Sequence, residues 1–80
     1  MKTPRDISGK EMIKALKIFK YEVVRQNGSH IMVTSLLSNE HHLAIPNHNP
    51  IKTGTLNSII SSVANRFNLS KEEVIKKLFY

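Results

Sequence analysis

Four histidines, at positions 30, 41, 42 and 48, are the side chains of this sequence able both to take and to give a proton near neutral pH. His30 has the most informative setting. It follows Asn27-Gly28-Ser29, a reversal signal, which itself follows a β-branched run leading into Arg25 and Gln26. A turn tip fixes a ring in space without burying it. The chain carries a net charge of +6, so such a ring is well placed to act on a polyanion. RNA brings its own nucleophile, the 2′-hydroxyl, beside every phosphate. The combination points to a nuclease or a nucleic-acid binder.

Other groups could complete that chemistry. A leaving oxygen needs a proton, and His48 is the first candidate for the donor, with His42 or solvent as alternatives and Ser29 as a further auxiliary. His48 sits between two asparagines and two prolines, so shaping its own loop is an equally simple role. Charge building on phosphorus needs fixed donors: Arg25, Lys52, and the amides near Gly28 or Gly54. Lys52-Thr53-Gly54-Thr55 opens a helical pattern, and a helix start with a lysine and two hydroxyls attracts phosphate. The simplest role of Thr53 and Thr55 is as caps. Lys10, Lys14 and Lys17 form a row that is by default a solvated face and could track an RNA backbone.

His41 and His42 point to opposite faces of a strand and cannot chelate together. A set of His30, His42 and His48 has no carboxylate or cysteine and no familiar ligand spacing. No metal and no cofactor is expected.

Composition bounds the rest. Eighty residues suggest one small domain over 1–80, burying only about 60% of the surface its unfolded chain exposes. Without cysteine there is neither a disulfide framework nor a thiolate site, which suggests a reducing cytoplasm. Residues 1–6 lack the apolar core of a signal peptide, and no apolar run approaches the roughly 18 residues that span a bilayer. Residues 1–35 hold seven basic and three acidic side chains, so +4 of the charge lies near His30.

The elements that must position these groups are legible. Beyond an N-terminal segment at 1–7, Ser8 with Glu11 forms a capping box, and Ile7 with Met12 has the spacing of a hydrophobic staple. A helix should start at Gly9, with Met12, Ile13, Leu16 and Phe19 as its buried stripe. Strands are expected over 21–26, from 29 to about 36, and from about 40 to 45, where Pro46 ends the ladder. If Ile31, Val33, Leu43 and Ile45 share the core face, antiparallel partners sum to an even number. A three-residue loop at Leu37, Ser38 and Asn39 makes that sum 76. Val33 then meets Leu43, and His30 lies opposite Pro46, beside the loop bearing His48.

Residues 53–67 carry the apolar spacing of a helix packed on a sheet. A short last helix over 70–79 follows a second capping box, Ser70 with Glu73. Its edge of Val74, Leu78 and Phe79 either closes the core or meets a partner. The fold class is α+β: helix, three-stranded antiparallel sheet, helix, in the layout of a double-stranded-RNA-binding domain, plus a short C-terminal helix.

Val24-Arg25-Gln26 leads into Gly28-Ser29-His30, and Ile45-Pro46-Asn47-His48 and Gly54-Thr55-Leu56 followed by Ser58-Ile59 come after it in that order. In that succession the chain resembles the HicA (YcfA-like) toxins. The resemblance covers roughly residues 8–79. It departs where Ile31-Met32 follows His30, a place where many relatives carry further histidine or aromatic residues. The resemblance implies a type II toxin-antitoxin ribonuclease that cleaves mRNA without metal, depends on His30, and is silenced by a HicB-like antitoxin.

The fitting reaction is transesterification: His30 as general base takes the proton of a 2′-hydroxyl, which attacks the adjacent phosphorus. Two other classes share the composition. One is a non-catalytic RNA-binding module of the same fold. The other is a regulator acting through protein contacts.

Overall fold

A computed structural model describes residues 4–37 and 41–80. Helix α1 (Gly9–Leu16) runs into a 3₁₀ turn over Lys17–Phe19, followed by strands β1 (Tyr21–Asn27), β2 (His30–Ser35) and β3 (His42–Pro46), then helices α2 (Thr53–Arg66) and α3 (Lys71–Phe79). This is the expected α+β order. The three strands form one antiparallel sheet in sequence order. Both expected capping boxes are present, with the Ser8 and Ser70 hydroxyls accepting from the Glu11 and Glu73 amides at 3.1 Å. Lys20, left-handed with φ 61°, turns the chain out of the first helical stretch into β1.

The register between β2 and β3 pairs Val33 with Leu43 and His30 with Pro46, as the alternation argument requires. Ile31, Val33, Leu43 and Ile45 face one core together with Met12, Leu16, Phe19 and Tyr21, and with Leu56, Ile59, Ile60 and Val63 from α2. Val74 and Ile75 of α3 are buried in the same cluster, and Leu78 and Phe79 pack against it, so the last helix closes the core. No helix of the described residues is long and apolar enough to cross a membrane.

Four local expectations are corrected. β1 extends to Asn27, leaving Gly28-Ser29 as the two-residue turn. Gly28 takes φ +62° at its first central position, the pattern of a type II′ turn in which glycine carries no Cβ penalty. β2 ends at Ser35, because the Ser35 hydroxyl donates to the Phe19 carbonyl and accepts from the Leu37 amide, taking the chain out of the ladder. Pro46 belongs to β3 and opposes His30; it is the last residue of an edge strand, where a missing N–H costs nothing in the ladder. α2 ends at Arg66 with Phe67 as its cap. The described β2–β3 ladder stops at the Thr34–His42 pair, and of the expected loop Ser38 and Asn39 lie outside the described residues.

One packing detail has no sequence signal. A Cβ on Gly9 would collide with the Pro46 carbonyl oxygen and press on Asn47 Cα, both of them backbone atoms with little room to give. Gly54, by contrast, faces open space in the first turn of α2. Gly9→Ala should therefore lower the unfolding free energy by about 1–3 kcal/mol, the usual cost of overpacking. Gly54→Ala should leave it unchanged or raise it by up to about 1 kcal/mol. Urea denaturation of the two variants beside the parent checks the contrast.

Candidate functional site

His30 opens β2 with its side chain exposed, immediately after the Gly28-Ser29 turn. The backbone around it is tied on two sides. The Asn47 amide donates to the Ser29 carbonyl at 2.6 Å, joining the loop after β3 to the hairpin turn. The Gly9 amide donates to the His48 carbonyl at 2.9 Å, and the Ile51 amide to the Ile7 carbonyl at 2.8 Å. The loop that bears His48 is thereby held between the hairpin and the start of α1. It contains a cis Asn49-Pro50 peptide.

These ties assemble a groove of about 310 Å³ lined by His30, Ala44, Pro46, His48, Lys52 and Thr55. Two histidines, a lysine and a threonine thus line one groove beside the small apolar residues Ala44 and Pro46. Lys52 is the N-cap of α2 and makes no side-chain hydrogen bond there, so the expectation that Thr53 and Thr55 cap the helix is corrected. They occupy the first and third helical positions, past the residue whose hydroxyl could reach back to the first-turn amides.

The remaining sequence candidates lie elsewhere. Arg25 is on the open face of the sheet, opposite Met32. His42 shares that face, two residue pairs beyond Ala44, with its Nδ1 2.6 Å from the Thr34 hydroxyl. Ser29 contributes its carbonyl to the tie with Asn47. Lys10, Lys14, Lys17 and Thr53 are exposed and do not line the groove. Ala44 and Pro46 are groove residues that chemistry-based reading passes over, although the register sum of 76 already sets Pro46 across from His30. Gly9 and Asn47 act through their backbone alone; the same sum pairs Asn47 with Ser29, whereas nothing in the side-chain pattern marks Gly9. Among the described residues, no three histidine or carboxylate side chains are grouped to hold a metal ion.

The model of the family described as HicA toxin of bacterial toxin-antitoxin matches residues 9–63. The chain belongs to the HicA toxin family. Membership makes it a toxin of a toxin-antitoxin pair and implies an antitoxin partner. No curated protein and no solved structure matches the chain. The matched region contains every residue of the groove, both backbone ties from Gly9 and Asn47, and the whole sheet, while α3 lies outside it.

In this HicA-family chain the fourth histidine has a structural setting. His41 Nδ1 lies 2.6 Å from the hydroxyl of Tyr21, a residue buried against Phe67 with ring centroids 6.3 Å apart. Burial lowers the pKa of His41, and the charges of Arg66 and His42 push it the same way. Burial raises Tyr21 to about 12, against a smaller opposing effect of Arg66.

Both shifts set the sign of stability against pH. Between the folded and unfolded pKa of His41 the unfolded chain binds more protons, so its contribution is complete above about 6.5 and is lost as pH falls through the lower folded value. The folded chain holds the Tyr21 proton longer, so stability also declines as pH rises from about 10 towards about 12. Urea unfolding across pH should show both slopes. His41→Gln should flatten the acid one, and an unchanged acid slope in that variant would remove His41 as its cause.

Proposed function

We propose that this HicA toxin is a metal-independent endoribonuclease that cleaves mRNA, with His30 as general base. The observation that supports the reading is that His30 and His48, eighteen positions apart in sequence, line one groove together with Lys52 and Thr55. An in-line transfer at phosphorus needs a base on one side, an acid on the other, and positive charge or hydrogen-bond donors between them. The groove offers that set of groups. In the proposed step His30 removes the 2′-hydroxyl proton, the 2′-oxygen bonds to phosphorus, and the bond from phosphorus to the 5′-oxygen breaks. His48 supplies the proton that the leaving 5′-oxygen takes up. The products are a 2′,3′-cyclic phosphate and a 5′-hydroxyl.

Lys52 and the Thr55 hydroxyl are placed to meet the non-bridging oxygens as charge builds on them, and the net +6 charge draws the polyanion in. Arg25, on the open face, meets a neighbouring phosphate. A HicB-like antitoxin silences the toxin, and an exposed groove is a surface a protein partner can cover.

Purified protein with defined RNA in excess chelator tests the reading. The expected outcome is cleavage with cyclic-phosphate ends, absent on the matching DNA. His30→Ala should lower the rate by about 10²–10⁴-fold, the usual contribution of a positioned acid or base, with His48→Ala reducing it through the leaving-group step. Full cleavage by His30→Ala would overturn the assignment. RNA binding by both proteins without scission would favour a non-catalytic module.

A further inference from the structure

The face of the sheet turned away from the helices carries three cross-strand rows. Asn27, His30 and Pro46 form the first, Arg25, Met32 and Ala44 the second, and Glu22, Thr34 and His42 the third. Arg25 and Asn27 belong to this face because β1 bulges by one residue between Val23 and Arg25. Without the extra residue, strict alternation would turn both towards the helix side. Successive rows lie about 7 Å apart. Ala44 belongs both to the second row and to the groove wall, so the groove opens directly onto this face. His42 is exposed yet held, because the Thr34 hydroxyl at 2.6 Å from Nδ1 sets the orientation of its ring.

We propose that this open face is a platform for a single-stranded polynucleotide leaving the His30 groove, with Arg25 on a phosphate and His42 as the seat of a base. The inference rests on the ribonuclease reading and adds to it the strand state of the substrate and a subsite remote from the cut. Charge and shape select the occupant. A duplex presents its backbone and hides its base faces, so it asks for a row of cations; this face offers Arg25 beside the acidic Glu22, and the lysine row is on α1. A single strand exposes its base faces, which settle on flat or ring-bearing surfaces whatever their sequence. Met32, Ala44 and the His42 imidazole supply such a surface. His42 stands about 13 Å along the strand from the first row, two row steps from the histidine at the cut.

The probe is a labelled single-stranded RNA carrying 2′-O-methyl groups, which binds but lacks the nucleophile, compared with the same sequence as a duplex. The single strand should bind the intact protein more tightly than the duplex. His42→Ala should weaken it about fivefold or more, the loss of one stacked base. Thr34→Val, which frees the ring without removing it, should weaken it about two- to threefold, a part of that stacking loss. Arg25→Gln should weaken binding and lower the salt slope by about 0.7, one phosphate contact on a single strand.

On cleavable RNA the His42→Ala loss should be read in KM. Equal affinity for duplex and single strand would overturn the proposal, as would unchanged single-strand binding in both His42→Ala and Arg25→Gln. Arg25 and His42 are exposed and Thr34 is half-buried, and unfolding midpoints confirm that the variants fold. The two readings fail separately. Tight, His42-dependent binding without cyclic-phosphate ends on cleavable RNA keeps the platform and removes the ribonuclease. Normal cleavage with His42-independent binding does the reverse.

Discussion

Three backbone hydrogen bonds to one loop hold together the end of the molecule that carries His30 and His48. The Asn47 amide reaches the hairpin turn at Ser29, the Gly9 amide reaches the His48 carbonyl, and the Ile51 amide reaches Ile7. Residues 46–51 are thereby tied to the β1–β2 hairpin and to the start of α1, just before the chain enters α2. Polar backbone groups must find partners when water is excluded, and here satisfying them also fixes where two imidazoles stand. The absence of a Cβ at Gly9 is what lets the helix approach closely enough.

The sheet divides the labour of the chain between its two faces. One face carries Tyr21, Ile31, Val33, Leu43 and Ile45 into the core, where three helices cover it. On the other, His30, His42 and Ala44 are exposed beside half-buried Met32 and Thr34. Because the side-chain period is two, a shift of one residue between β2 and β3 would bury His30 and expose Val33 together. Stability therefore selects the register, and the register sets the chemistry. β1 is the exception, since its bulge resets the alternation midway and brings Arg25 to the face of His30.

For a toxin of a toxin-antitoxin pair this arrangement has a consequence. An 80-residue chain has little core to spare, and the groups of its candidate site sit on the surface of the sheet and its flanking loop rather than in a deep cavity. Access is open to a long polymer. The same openness lets one protein partner occupy groove and sheet face at once.

Much of this was determined by the sequence itself. The capping boxes at Ser8 and Ser70, the apolar spacing of α1 and α2, and the alternation around Val33 and Leu43 are local or periodic signals, and local physics enforces them. The exposure of His30 and its place across from Pro46 follow from the same alternation. What only the tertiary structure decided involves contacts with no period and no side chain to announce them. The Gly9 approach, the tie from its amide to the His48 carbonyl and the joining of His48, Lys52 and Thr55 to His30 in one groove arise from how separate segments close on each other. The bulge at Val24 arises from fitting β1 to β2. Sequence periodicity speaks within an element; the positions of turn, loop and helix start relative to one another are set by packing the whole chain around one core.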